Sequence, residues 1–284
     1  MNPSPLRYPG GKYKLYQYVA ELIRLNNCVT YAEPFCGGAA VALELLMQGD
    51  VKDIIINDYD YTIFCFWESM LNETEKFIEL ILNTDVSIKE WWRQKNIREN
   101  IDRYSRLEIG FSTFFLNRTN RSGIIDKAGP IGGYKQQSAY DISCRFNKSK
   151  LIERIEKIAS LRNHIYIHNL EALDFIDNII LKKRKIFTFF DPPYYGKGPG
   201  LYTNFYCHGD HKNLSNVILH QMGKRKWIVT YDNVDEIKNM YHRCSRIEFG
   251  LRYTLQEKKS GSEIMFFSRN IKRPERETEY LTIL

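Results

Sequence analysis

Three strand ends in this chain predict an α/β fold built on a doubly wound sheet. The apolar run Ile186-Phe187-Thr188-Phe189-Phe190 stops on Asp191-Pro192-Pro193-Tyr194. The segment Ala32-Glu33-Pro34-Phe35-Cys36-Gly37-Gly38-Ala39-Ala40 places glycines where the β-prone Val29-Thr30-Tyr31 gives way to a helical run. A second apolar strand, Ile54-Ile55-Ile56, ends on Asn57-Asp58, about 20 residues beyond the glycine turn. An acidic strand end at that distance behind a glycine turn is the arrangement that binds a nucleotide-like cofactor in such sheets.

The elements follow from periodicity. Over 13–26, Leu15, Tyr18, Val19, Leu22 and Ile23 keep the three-and-four spacing of an amphipathic helix. A strand follows at 29–31, then a helix carrying Val41, Leu43, Leu45 and Leu46, then the strand ending at Asp58. Residues 75–82 and 106–116 read as helices. Between them Glu90, Glu99 and Asp102 interleave with Arg93, Lys95, Arg98 and Arg103 as on a solvated helix face. Residues 117–147 hold Gly123, Gly129, Pro130, Gly132 and Gly133 among polar and basic residues. That stretch is too broken for a helix and too long for an ordinary loop, so a hairpin or flap is expected. A helix over 151–161, a strand over 164–168 and a helix over 172–181 lead into the strand before Asp191. No internal repeat or low-complexity tract is visible, and Lys182-Lys183-Arg184-Lys185 reads as a solvated helix end.

Composition narrows the class. With 284 residues, 43% of them hydrophobic, the chain can fill one large α/β core with an inserted module. Its six cysteines are scattered with no Cys-x-x-Cys pair, which signals neither a disulfide framework nor a zinc site, and no metal is expected. No secretory leader and no apolar run of membrane-spanning length is seen, so a soluble cytoplasmic protein is expected. Charge is unevenly spread. Residues 1–88 hold 6 Lys/Arg against 12 Asp/Glu, residues 89–154 hold 14 against 7, and residues 155–284 hold 21 against 15. A basic middle behind an acidic, cofactor-type half fits a module that contacts phosphates.

The chemistry concentrates at Asp191. Pro193 has no N–H and biases Pro192 toward an extended backbone, so the Asp191 carboxylate and the Pro192 carbonyl can face one point. Two converging acceptors suit an amine with two hydrogens, and Tyr194 offers a flat face for an aromatic base. The exocyclic amine of a nucleobase is therefore the suggested substrate. Taken alone, the tetrapeptide reads equally as a strand exit with a solvated carboxylate, and the glycines as a tight turn. His208 and His211 follow downstream, but neither has the paired carboxylate or Cys expected of a general base.

The blocks and their order resemble the Dam-like, alpha-class DNA adenine methyltransferases that use S-adenosylmethionine. The Leu6-Arg7-Tyr8-Pro9-Gly10-Gly11-Lys12 segment is similar to the family's N-terminal cofactor motif. Glu33 to Gly37 is similar to its glycine motif, Asn57-Asp58 to its acidic motif, and Asp191 to Tyr194 to its DPPY motif. Asp210-His211 with Leu214, Trp227-Ile228-Val229-Thr230-Tyr231-Asp232-Asn233 and Glu263-Ile264-Met265-Phe266-Phe267 resemble later blocks, so the resemblance spans nearly the whole chain.

The resemblance implies a Rossmann-like methyltransferase sheet formed by 1–59 and 161–284, with an inserted helical and hairpin recognition module at 60–160. It implies that Tyr8, Lys12, Glu33, Phe35, Gly37, Asp58 and Asp191 line the S-adenosylmethionine site. Asp174 is a further candidate there, or else a helix cap. It implies that Asp191, Pro192, Pro193 and Tyr194 carry catalysis on an adenine flipped out of double-stranded DNA. Arg118, Asn120, Arg121 and Lys135 are the candidates for DNA contact, with Arg118 alternatively anchoring the end of its helix. Two departures stand out. Ala39 occupies a position where the family has glycine, which suits only a backbone outside positive φ. The block Leu116-Asn117-Arg118-Thr119-Asn120-Arg121-Ser122-Gly123-Ile124 differs from the Tyr-Asn-Gly segment of enzymes that methylate GATC, so no recognition sequence carries over. A methyltransferase acting on RNA or cytosine, and a silent DNA-binding homologue, remain as alternatives. A cognate restriction endonuclease is a candidate partner, and the oligomeric state is not legible.

Overall fold

The computed structural model describes residues 2–8, 10–196, 206–251 and 261–284. Seven strands form one sheet: β1 (Thr30–Glu33), β2 (Asp53–Asn57), β3 (Ile165–His168), β4 (Ile186–Phe190), β5 (Lys226–Asp232), β6 (Arg246–Leu251) and β7 (Gly261–Phe267). Their spatial order is β3-β2-β1-β4-β5-β7-β6. The first five run parallel, and β7 lies antiparallel between β5 and β6. The order reverses at β1, which has β2 on one side and β4 on the other. A crevice opens at the carboxyl ends of the strands at such a switch point.

Both faces of the sheet are covered, which explains why β4 reads as an unbroken apolar run with all five residues buried. The side-chain period of two divides it: Phe187 and Phe189 pack into one core, Ile186 and Phe190 into the other. The first core receives helices α1 (Tyr16–Leu25) and α2 (Ala40–Gln48), and also the helices between β2 and β3. These are α3 (Tyr61–Asn72), α4 (Thr74–Asn83), α5 (Ile88–Glu99), α6 (Arg106–Thr119) and α7 (Lys148–Ala159). The second core receives α8 (Ala172–Phe175), which continues as a π-turn over Ile176–Ile180, with α9 (His208–Gln221) and α10 (Asp235–Met240).

Two of these helices escape the periodicity argument. In α3, Ile63, Cys65, Phe66, Trp67, Met70 and Leu71 are all buried, so the helix is apolar nearly all round and shows no face to read. It is defined instead by Asp60, whose carboxylate accepts the Thr62 N–H at 2.9 Å. In α5, the expected solvated face is only partly so. The Arg98 side chain is 8% exposed and pairs with Asp126 at 2.7 Å and Asp60 at 3.3 Å. Over 117–147 the expected hairpin reduces to one antiparallel bridge between Asn120 and Pro130.

Candidate active site

A cavity of about 640 Å³ opens at the carboxyl ends of β1, β2 and β4, within the size range of nucleotide-sized pockets. Its walls include Tyr8, Lys12, Glu33, Phe35, Gly37, Asp58 and Asp191, seven residues that the sequence points to and the fold brings together from four segments. Pro9 of the N-terminal motif lies outside the described residues.

The glycine turn follows β1 directly. Gly37 has φ +44, and a Cβ there would come within 2.5 Å of the Tyr8 ring, so only glycine lets that ring lie against the turn. Ala39, expected outside the left-handed region, has φ 46 and ψ 32. The turn keeps this conformation with its N–H bonded to the Cys36 carbonyl at 2.6 Å, at a cost of about 1–2 kcal/mol for a residue carrying a Cβ. Asp58 braces the same turn: it accepts the Gly37 N–H at 2.8 Å and the Asp60 N–H at 3.0 Å. Burial, with Asp60 nearby, pushes its carboxyl up to about 7. Glu33, at the end of β1, accepts from the Tyr31 hydroxyl at 2.8 Å and the Ala42 N–H at 3.3 Å. Burial outweighs those bonds and raises its carboxyl to about 8.

Opposite, Asp191 leaves β4 with both carboxylate oxygens held. Oδ1 accepts from the Thr230 hydroxyl at 2.7 Å, and Oδ2 accepts from the Lys12 ammonium at 2.9 Å. Lys12 also donates to the Gly10 carbonyl at 2.9 Å and the Tyr194 hydroxyl at 3.1 Å, and its side chain is 4% exposed. Tyr194 donates in turn to Glu263, which lies 3.9 Å from Lys12. Glu263 reaches this rim because β7 runs antiparallel, so its first residues lie beside the last residues of β5, with Glu263 opposite Asp232. Asp232 accepts the N–H groups of Tyr195 and Gly196 at 2.9 and 2.8 Å, fixing the chain just beyond the tetrapeptide.

The remaining candidates divide. Pro193 lines the cavity, whereas Pro192 and Tyr194 are buried, and the Tyr194 ring lies under the Lys12 ammonium rather than on the cavity wall. Asp174 is exposed and does not line the cavity. Glu171, three residues earlier, caps α8 through the Leu173 N–H at 2.6 Å and faces the cavity with Tyr206, whose ring meets Phe35 edge-on at 5.8 Å. The readable signal for Glu171 was its place at a helix start just after the third strand. His211 is fully buried against the Tyr231 hydroxyl at 3.0 Å, and burial pushes its imidazole down to about 4.

Among the expected DNA contacts, Arg121 and Lys135 are exposed. Asn120 is corrected: it is fully buried, accepting from the Trp91 indole at 2.6 Å and donating to the carbonyls of Ile124 and Ile125 at 2.8 Å each. Both hydrogens of its amide hold the loop, and its oxygen is turned to the Trp91 indole. Arg118 donates to the carbonyls of Arg145 at 2.8 Å and Pro5 at 3.4 Å, the anchoring alternative. Among the described residues, no group of three or more His, Cys, Asp or Glu is placed to hold a metal, and no helix is long and apolar enough to cross a membrane.

Residues 8–255 match the family described as D12 class N6 adenine-specific DNA methyltransferase. A modification methylase, StsI of Streptococcus sanguinis, is 26% identical over 201 residues, 67% of this chain. The chain spans 28% of that relative's length. An rRNA methyltransferase structure, aviRa from Streptomyces viridochromogenes, aligns over 92% of this chain and 86% of its own at 12% identity, with a TM-score of 0.37.

Proposed function

The chain belongs to the D12 class N6 adenine-specific DNA methyltransferases, and from that premise we propose that it methylates the exocyclic amine of an adenine flipped out of double-stranded DNA, with S-adenosylmethionine as donor. One observation carries the proposal: among the described residues, Asp191, on the cavity wall, has one protein donor on each carboxylate oxygen, which leaves further lone pairs for an incoming amine.

The residues fit the donor. Asp58 supplies acceptors for ribose hydroxyls, Phe35 and Tyr206 an apolar wall for a base, and Glu33 a carboxyl for an amino group. Bound S-adenosylmethionine supplies a methyl group on a sulfonium, an electrophile with a neutral thioether as leaving group. The chain's part is orientation. Adenine's amine lone pair is delocalised into its ring, and holding its N–H on the Asp191 carboxylate, which lines the cavity where the buried Pro192 does not, localises it toward the methyl carbon. The N–C bond forms as the C–S bond breaks, sulfur keeps the electron pair, and the nitrogen sheds one proton through Asp191. Lys12 and Thr230 keep the carboxylate from rotating away during this displacement. Tyr194 supports the site through Lys12 and Glu263, with its ring available to a base only if that packing opens.

The same reading assigns 1–59 and 161–284 to cofactor and chemistry and 60–160 to target recognition, with Arg121 and Lys135 toward DNA. It places the chain with duplex DNA in the cytoplasm. The modification methylase relative supports a partnership with a restriction endonuclease that cuts the same unmethylated site. Incubation with methyl-labelled S-adenosylmethionine and, separately, duplex DNA, single-stranded DNA and RNA tests the proposal. Label is expected in the duplex. Label in RNA alone, or in none, favours an RNA enzyme or a silent DNA-binding protein instead.

A further inference from the structure

Part of the cavity wall comes from outside the sheet. Gly123, Ile124, Ile125, Asp126 and Lys127 line it from the stretch between α6 and α7, while Asp58, Tyr59 and Asp60 line it from the end of β2. The first of these segments is closed on itself. The Asn120 carboxamide donates to the Ile124 and Ile125 carbonyls at 2.8 Å each, and the Arg121 N–H donates to the Gly129 carbonyl at 3.1 Å. Arg121, the exposed candidate for DNA contact, and Asp126, on the cavity wall, therefore belong to one held loop, 120–129.

Arg98 of α5 ties this loop to the end of β2. Its Nε and Nη2 donate to the two oxygens of Asp126 at 2.7 and 2.9 Å, and Nη2 also reaches Oδ2 of Asp60 at 3.3 Å. The other oxygen of Asp60 caps α3, accepting from the Thr62 N–H at 2.9 Å and the Thr62 hydroxyl at 2.7 Å. The Asp60 N–H in turn donates to Asp58 at 3.0 Å. A continuous run of hydrogen bonds thus leads from Asp58, which the proposed function sets against the donor's ribose, to the loop that carries Arg121. Stability is a poor reason for such a bridge. A guanidinium only 8% exposed between two carboxylates gains little over apolar packing, because all three groups lose hydration. Among the described residues, its Nη1 is moreover buried with no acceptor. What the planar fork supplies is geometry, since it holds two separate segments at once.

We propose that Arg98 is a positioning residue that couples the two substrates, holding the 120–129 loop against the end of β2 so that a filled cavity strengthens duplex binding through that loop. With the donor in the cavity, both ends of the bridge, Asp58 and the 123–127 wall, are in contact with it, and the loop is ordered before DNA arrives. The duplex then loses less loop freedom on binding and is held more tightly. By linkage, the duplex strengthens donor binding by the same factor. This coupling rests on the reading of the chain as a DNA methyltransferase that uses S-adenosylmethionine.

The test uses a duplex that the parent protein methylates and S-adenosylhomocysteine, the donor without its methyl, so that no reaction intervenes. Duplex affinity is measured without the cofactor and at saturation, which keeps changes in cofactor affinity out of the ratio. The parent is expected to bind the duplex about 5-fold or more tightly at saturation, within the usual span of such couplings. Arg98→Lys keeps the charge but lacks the fork, and Asp126→Asn keeps the shape but lacks the charge. Each should bring the ratio to about 1, and the double variant should lose nothing further, because both cut the same link. Saturable S-adenosylhomocysteine binding by calorimetry shows that a variant is folded, and Asp126→Asn alone decides if Arg98→Lys is not. Variants that keep the parental ratio overturn the coupling. So does a loss of duplex affinity that is equal with and without the cofactor, which makes Arg98 a structural tie only. A parent that binds S-adenosylhomocysteine but neither binds nor methylates any duplex sinks the DNA reading, and the coupling with it. A parent that holds its duplex equally well with and without the cofactor sinks the coupling alone.

Discussion

The Lys12 ammonium and the Asp191 carboxylate, 179 positions apart in the chain, meet at 2.9 Å. This contact joins the N-terminal segment to the end of β4 and sets the orientation of the carboxylate that opens the tetrapeptide and lines the cavity. It lies in a network with Thr230, Tyr194 and Glu263, so the rim is positioned by four parts of the chain at once.

Asp191→Ala should lower kcat by about 100-fold or more, the scale for removing one preorganised polar group from a reacting centre. Duplex affinity should be largely retained, because the group acts on the amine and not on the backbone. Single-turnover kinetics beside a binding titration make the comparison. Near-parental turnover would remove Asp191 from the chemistry.

Asp58→Ala should weaken S-adenosylmethionine binding by roughly 1.5–3 kcal/mol, the range for hydrogen bonds to a charged acceptor. A pH signature accompanies this. The carboxyl is pushed up to about 7, so in the free protein it is increasingly protonated as pH falls below that value. Parental cofactor affinity should therefore fall from pH 8 to pH 6, and the Asp58→Ala variant should lose that dependence. Calorimetry at the two pH values decides, and equal slopes for the two proteins would count against the assignment.

Glu33→Gln addresses stability. Glu33 has its carboxyl raised to about 8, against an ordinary value of 4.5. A carboxyl raised on folding contributes stability that is fully present below the ordinary value and is lost as pH rises toward the folded one. The cofactor-free parent should therefore become less stable between pH 5 and pH 8, by at most about 1.4 kcal/mol per pH unit per group. Asp58 adds to the same slope. Glu33→Gln should flatten it, as read from urea midpoints; a parent with no slope over that range would contradict the buried-carboxyl picture.

Ala39→Gly should stabilise the protein. The left-handed conformation at Ala39 costs about 1–2 kcal/mol, which glycine avoids, while the added freedom of the unfolded chain takes back about 0.5–1 kcal/mol. A net gain of up to about 1.5 kcal/mol is expected in thermal or urea unfolding. Destabilisation would mean that the Ala39 methyl contributes more by packing than it costs by strain.

The parts that were legible in the sequence share a cause: they repeat locally or sit at strand ends. The Asp58 and Asp191 positions follow from where apolar runs stop, and the α/β order from alternating periods. What was hidden depends on distance. Nothing near Glu263 marks it as a partner of Tyr194, because the antiparallel pairing of β7 with β5 creates that meeting. Asn120 looks like a base reader in a polar, glycine-broken stretch, yet the Trp91 indole and two carbonyls claim its amide. The helix α3 shows no amphipathic pattern in the sequence because burial on nearly all sides erases it. Arg118 and its neighbours look like scattered surface charges until α6, α7 and the N-terminal segment are folded together.

On the proposed function, the reaction ends in N6-methyladenine within duplex DNA. Mass spectrometry of the nucleosides released from a duplex treated with S-adenosylmethionine and either the parent protein or Asp191→Ala measures it directly. N6-methyldeoxyadenosine is expected from the parent and little or none from the variant. A product methylated only on cytosine, or equal yields of methyladenine from both proteins, would contradict it.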